Sequence, residues 1–161
     1  MIAPEFRVWI IDDRPENIAM IAASFADEVR LACEIRSFGQ ARAALATWAE
    51  LLAARPAHLP DVILLDFFLD RTYGHHLLDQ LMASYRRAAR TPAVVIAHSS
   101  MAEASALLIK HGADFSLPKI KGRERSDAVA QAFRSLAALR WLVANRRPMP
   151  DQPEDVDARA L

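Results

Sequence analysis

The chain has 161 residues, 53% of them hydrophobic and 25% charged, a composition that suits one globular domain with a full core and excludes a wholly disordered chain. Basic and acidic side chains balance to a formal net charge of zero at pH 7, which argues against broad electrostatic attraction to nucleic acid or to an acidic membrane. Cys33 is the single cysteine, no apolar run nears the ~18 residues of a membrane span, and no signal peptide is visible, so a soluble cytoplasmic protein without a disulfide is expected.

The predicted elements alternate strand and helix. Phe6–Ile11 reads as an apolar strand that runs into Asp12 and Asp13. Pro15 suits the first turn of the next helix, whose stripe is Ile18, Ile21, Ala22 and Phe25. Arg30–Phe38 has a mixed pattern and reads as a strand nearer an edge, ended by Gly39. Ala41, Ala44, Leu45, Trp48, Leu51 and Leu52 mark a second helix, closed at Arg55-Pro56 because the residue before a proline disfavours helical backbone. Val62–Leu65 is the most apolar run, a central strand ending in Asp66.

A loop from Phe67 to Gly74 leads to a third helix with Leu77, Leu78, Leu81, Met82 and Tyr85. Ala93–Ala97 is the fourth strand, entered through Pro92. Ala104, Leu107, Leu108 and His111 predict a fourth helix with Gly112 as its C-terminal cap. Ala113–Leu117 is the fifth strand, followed by Pro118 and Lys119. One fifth helix carries Val129, Ala132, Phe133, Leu136 and Val143, with Ser126 as its N-cap. After Arg147, prolines alternate with acids, so residues 1–147 are expected to form the domain and 148–161 a polar tail, mobile unless a partner holds it.

Five strand–helix units imply an α/β fold with a parallel sheet covered on both faces and right-handed crossovers. The expected architecture is a doubly wound, flavodoxin-like sheet in the order 2-1-3-4-5. Ligands of such sheets gather at the carboxyl ends of the strands, where Asp12, Asp13, Asp66 and Lys119 would meet. Carboxylates crowded there repel unless a divalent cation lies between them, and hard cations such as Mg²⁺ take oxygen ligands of this kind. The lysine adds a mobile positive charge suited to a phosphoryl oxygen.

At these residues the chain resembles the receiver domain of bacterial two-component response regulators. The likeness spans roughly Phe6 to Val143 and rests on three segments in order: Val8-Trp9-Ile10-Ile11-Asp12-Asp13-Arg14-Pro15-Glu16-Asn17, Asp61-Val62-Ile63-Leu64-Leu65-Asp66 with Gly74 beyond it, and Gly112-Ala113-Asp114-Phe115-Ser116-Leu117-Pro118-Lys119. The resemblance implies that Asp66 is the nucleophile that accepts a phosphoryl group from a histidine kinase or phosphotransfer protein. It implies that Asp13, Asp66 and the Phe68 backbone carbonyl ligate Mg²⁺, that Asp12 acts mostly through water, and that Lys119 pairs with the carboxylate or phosphoryl oxygen. Output would pass through protein contacts, to a downstream target or a second copy, with no direct nucleic-acid binding and no membrane insertion. With only a short polar tail after the domain, a stand-alone receiver is expected.

Several positions depart from that family. The strand-end Thr or Ser falls on Ile96 or Ala97, neither with a hydroxyl, so Ser99 or Ser100 is the nearest replacement. The aromatic switch position falls on Ser116, with Phe115 one residue earlier and therefore on the other face. Ile120 follows Lys119 where proline is common, and Asp70 is read as a solvated loop acid. These departures keep a second reading open, a protein-binding module that works without phosphorylation. A haloacid-dehalogenase-type phosphatase wants an acid two residues after its nucleophile, yet Phe68, Arg14 and Pro15 stand at those places. The adjacent His75 and His76 point apart on a helix and suit surface contact better than a shared metal. His98 adjoins the site. Cys33 reads as small core filler, Trp9 and Trp48 as packing residues, and Trp141 as an exposed anchor. Arg134, Arg140, Arg146 and Arg147 are expected to charge the output face.

Overall fold

A computed structural model describes residues 2–120 and 125–151. The elements run β1 (Phe6–Ile11), α1 (Pro15–Ser24), α2 (Asp27–Ala32), β2 (Cys33–Phe38), α3 (Ala41–Ala54), β3 (Val62–Leu65), β4 (Phe68–Leu69), β5 (Thr72–Tyr73), α4 (Gly74–Arg87), β6 (Val94–Ala97), α5 (Ala102–Lys110), β7 (Phe115–Ser116), α6 (Asp127–Ala132) and α7 (Leu136–Asn145). Five strands form one parallel sheet in the order β2-β1-β3-β6-β7. With the small β4–β5 hairpin set aside, this is the expected flavodoxin-like order.

The apolar runs of β3 and β6 are buried along their whole length, as strands covered on both faces must be. Side chains alternate between two cores. Trp9, Ile11, Ile63, Leu65 and Ala97 face α3 and α4, whereas Val8, Ile10, Leu64, Ile96 and Leu117 face the layer containing Ile21, Val129, Phe133 and Leu142. Cys33 packs half-buried against the second core, as filler, and burial pushes its thiol up to about 11. Trp9 and Trp48 are core residues, while Trp141 is only half-buried and stacks under the Arg147 guanidinium.

Five features differ from the sequence expectation. Residues Arg30–Ala32 belong to α2, so β2 starts at Cys33; Asp27 and Glu28 in a first turn favour that extra helix. The fourth strand starts at Val94, and the fifth is reduced to Phe115–Ser116. The loop after Asp66 contains an antiparallel hairpin, turned through Arg71 at φ 64°. The single fifth helix is two, because the Phe133 carbonyl takes the Ala26 N–H (3.2 Å) and Ser135 starts a new helix by accepting from the Ala138 N–H (3.0 Å). Ser126 caps α6 as expected.

The segment after Arg147 begins as an ordered return. Arg134 donates to the Met149 and Pro150 carbonyls at 3.3 and 3.2 Å, and Gln131 donates to Asp151. The rest of the expected tail lies outside the described residues.

Candidate functional site

Strand register builds the site. Ile11 pairs with Leu65, so the next residues, Asp12 and Asp66, stand side by side, and the Asp66 N–H donates to the Ile11 carbonyl at 3.0 Å. Asp12 is 1% exposed and Asp66 8%, while Asp13 reaches into solvent. Carboxylate oxygens of the three lie within 4.8 Å of one another. Lys119 Nζ is 2.7 Å from Asp12 Oδ2 and 3.4 Å from Asp66 Oδ2. Its backbone N–H donates to the Ser99 carbonyl at 3.1 Å, which fixes the loop that carries it.

Each buried carboxylate has further donors. Asp12 Oδ1 accepts from the Arg14 N–H (3.0 Å) and from Asn17 Nδ2 (3.2 Å), so it both shapes the entry to α1 and serves the site. Asp66 Oδ1 accepts from the Phe67 N–H at 2.8 Å. Burial nevertheless pushes the Asp66 carboxyl up to about 6; Lys119 pulls it down and Asp12 pushes it up. A group so placed would gain from a second cation. The donor set consists of hard oxygens, and the lysine neutralises only part of three converging negative charges, so these residues fit Mg²⁺.

A cleft of about 930 Å³ opens over the acids, lined by Asp13, Asn17, Met20, Phe68, Met101 and Lys119 among others. Phe68, 45% exposed, stands on β4 at its mouth. The two serines behave differently. Ser99 is buried and its Oγ accepts from the Met101 N–H (3.3 Å), whereas Ser100 is exposed and lines the cleft. The β6 end itself carries Ile96 in one core and Ala97 in the other. Phe115 packs against the second core and Ser116 is exposed, the reversal of faces that the spacing implied. No cis peptide bond occurs among the described residues, so Lys119–Ile120 is trans. Asp70 is an exposed loop acid, within 3.5 Å of Gln40 Nε2.

The arginines expected to charge an output face are committed internally. Arg146 forks onto Asp114 (2.7 and 2.9 Å) and onto the Pro92 and Ala93 carbonyls, Arg140 pairs with Glu5, Arg134 holds the C-terminal return, and Arg147 covers Trp141. His75 is half-buried and stacks on Phe67, with His76 and His111 beside it; the three do not converge on a metal. Asn17, the last residue of the acidic-pair segment, has no role assigned by the sequence, although a polar side chain on the first turn after an acidic strand end is the signal for one.

No protein-family model and no curated protein sequence matches the chain. Solved structures do. The phosphorylated cyanobacterial phytochrome response regulator RcpA superposes with a TM-score of 0.62 at 18% identity, over 92% of this chain and all of its own. The N-terminal receiver domain of RstA from Klebsiella pneumoniae gives 0.58 at 20%, over 85% and 97% of the two chains. The receiver domain of an Arabidopsis thaliana histidine kinase, complexed with Mg²⁺, gives 0.57 at 20%, over 71% and 83%. The chain has the receiver-domain fold. At these identities the fold is the shared property. In this receiver fold the three acids and Lys119 occupy the crevice where the strand order reverses, between β1 and β3.

Proposed function

We propose that the protein is a response-regulator receiver that accepts a phosphoryl group on Asp66 with Mg²⁺ and signals through protein–protein contacts. The observation that carries this reading is the convergence of Asp12, Asp13 and Asp66 oxygens within 4.8 Å, with Lys119 Nζ at hydrogen-bond distance from Asp12. Asp13, Asp66 and the Phe68 carbonyl would hold the metal, and Asp12 would reach it through water. When bound, Mg²⁺ supplies positive charge that offsets the repulsion between a carboxylate and an anionic phosphoryl group.

The chain's own groups do the rest. An Asp66 carboxylate oxygen forms the new bond to phosphorus as the bond to the donor's imidazole nitrogen breaks, and the imidazole departs with the electron pair. Lys119 is placed to stabilise charge on the transferring group, and such transfer depends mainly on positioning and electrostatics. Asn17 and the Arg14 N–H orient Asp12 against the lysine. The cleft admits a donor side chain from solvent. The donor class is a phosphohistidine on a sensor histidine kinase or phosphotransfer protein; a cytoplasmic location follows from that role. Output falls to a downstream protein or a second copy.

The test is incubation with Mg²⁺ and acetyl phosphate, followed by intact mass. The wild type gains one phosphoryl mass and Asp66→Asn gains none. No gain in the wild type would instead favour a phosphorylation-independent binding module, the reading that the absence of a hydroxyl at Ala97 supports. A gain retained in Asp66→Asn would remove the assigned nucleophile.

A further inference from the structure

The lateral row that carries Asp12 and Asp66 has another polar member. Ile11, Leu65, Ala97 and Ser116 are in register across β1, β3, β6 and β7, so the residues after them, Asp12, Asp66, His98 and Leu117, form the next row. Backbone bonds confirm the row: the N–H groups of Asp66, His98 and Leu117 donate to the Ile11, Leu65 and Ala97 carbonyls at 3.0, 2.9 and 2.9 Å. In-register neighbours share a face, on strands ~4.8 Å apart, so the His98 imidazole lies on the same side of the sheet as the Asp66 carboxylate.

His98 is 1% exposed. Its Nδ1 is 2.8 Å from the Leu117 carbonyl oxygen. A carbonyl can only accept, so Nδ1 carries the proton and Nε2 presents a bare lone pair. Burial holds the ring neutral, with its pKa down at about 4. The imidazole takes the Leu117 carbonyl where a regular parallel ladder would offer the Ser99 N–H. Leu117 is thereby held through both its N–H, by Ala97, and its carbonyl, by His98. Only Pro118 separates it from Lys119, whose ammonium faces Asp12 and Asp66.

We propose that His98 is a positioning residue for Lys119, acting through its Nδ1–H···O=C bond to Leu117. The bond ties the end of β6 to Leu117, two residues before the lysine, and so sets the ammonium against Asp66. Ile96 and Ala97 have no hydroxyl to make such a connection, and His98 makes it from the next position. The inference rests on the phosphoacceptor reading and adds to it a residue that places the lysine.

Two variants test it. His98→Phe fills the space without a donor, and His98→Asn restores an amide N–H close to the Nδ1 position. Initial rates of Asp66 phosphorylation by acetyl phosphate with Mg²⁺ are read by intact mass, and folding by urea titration. Loss of the positioning bond lowers the rate about tenfold in His98→Phe, the scale of one misplaced group. His98→Asn stays within a few-fold of wild type. A wild type that takes up no phosphoryl group overturns the function and this inference together. A phosphorylated wild type matched by a folded, equally fast His98→Phe overturns the inference alone, as does a folded His98→Asn as slow as the Phe variant. Should the Phe variant not fold, ¹⁵N NMR of the wild-type imidazole decides: a neutral ring protonated on Nδ1, whose resonance moves on adding beryllofluoride and Mg²⁺, is expected. A proton on Nε2, or a resonance that does not move, overturns the proposal.

Discussion

Gly74 approaches Asp66 so closely that a β-carbon on it would lie 2.3 Å from the Asp66 carbonyl oxygen and 3.1 Å from the Phe67 Cα. The Gly74 N–H also donates to the Phe67 carbonyl at 2.6 Å. The obstacle is backbone on both sides, so no rotamer change relieves it. Gly74→Ala should therefore destabilise the fold by roughly 1–3 kcal/mol, the range of overpacked sites, measured as a lower urea midpoint at unchanged m-value. Because the clash falls on the backbone of Asp66, Mg²⁺ affinity should fall in the same variant. An unchanged midpoint would show that the hairpin moves aside freely.

Much of this arrangement was legible beforehand because apolar runs that stop at acids mark both a buried strand and its exposed end. Ile11 to Asp12 and Leu65 to Asp66 are such stops, and in a parallel sheet they meet by register alone. What could not be read depends on contacts between distant segments. The break between α6 and α7 arises when Ala26 captures the Phe133 carbonyl, a bond across more than a hundred residues. The hairpin after Asp66 has strands of two residues, too short to show an alternation. Ser99 and Ser100 look equivalent in sequence, yet one turns inward to Met101 and the other faces the cleft. His98 could be placed beside the site, but its tautomer follows only from the Leu117 carbonyl.

Mg²⁺ should stabilise the protein, since the acids that would hold it are brought together only by folding. At a hundredfold excess over Kd the gain is about 2.7 kcal/mol, and Tm rises by several degrees for a domain of this size. Asp13 is exposed, which makes Asp13→Asn the gentlest way to remove a ligand. That variant should fold as well as wild type without metal and lose most of the Mg²⁺-dependent rise in a thermal melt. An intact rise would exclude Asp13 from the metal site.

The Asp66 carboxyl is raised from 3.8 to about 6, first by burial. Between those values the folded state binds more protons than the unfolded chain, so the contribution of Asp66 to stability is full below about pH 4 and is lost as pH rises through about 6. His98, lowered to about 4 by burial, has the opposite sign: its contribution is present above the ordinary histidine value of 6.5 and lost as pH falls towards 4. The two overlap, so the informative quantity is the difference between wild type and Asp66→Asn in metal-free buffer. The variant should gain relative stability as pH rises from 4 to 6. A pH-independent difference would place the Asp66 pKa near its ordinary value.

Phe68 stands half-exposed at the mouth of the cleft, its ring against Phe67 and Tyr73. An apolar ring at that position would hinder a water approaching a phosphoryl group on Asp66, and would offer it no hydrogen bond to orient it for attack. Phe68→Asn replaces the ring by a smaller amide that can do both. The variant should lose its phosphoryl group faster than wild type, by several-fold to tenfold, where tenfold corresponds to about 1.4 kcal/mol in the barrier. The side chain is a poor candidate for large stability effects, because almost half of it is in water and it belongs to neither core. Decay of the phosphorylated mass after removal of the donor measures the rate directly, with Phe68→Leu as a control for ring loss without a new amide. A slower Asn variant would show that the ring does not shield the site and that the lifetime of the phosphorylated state is set elsewhere.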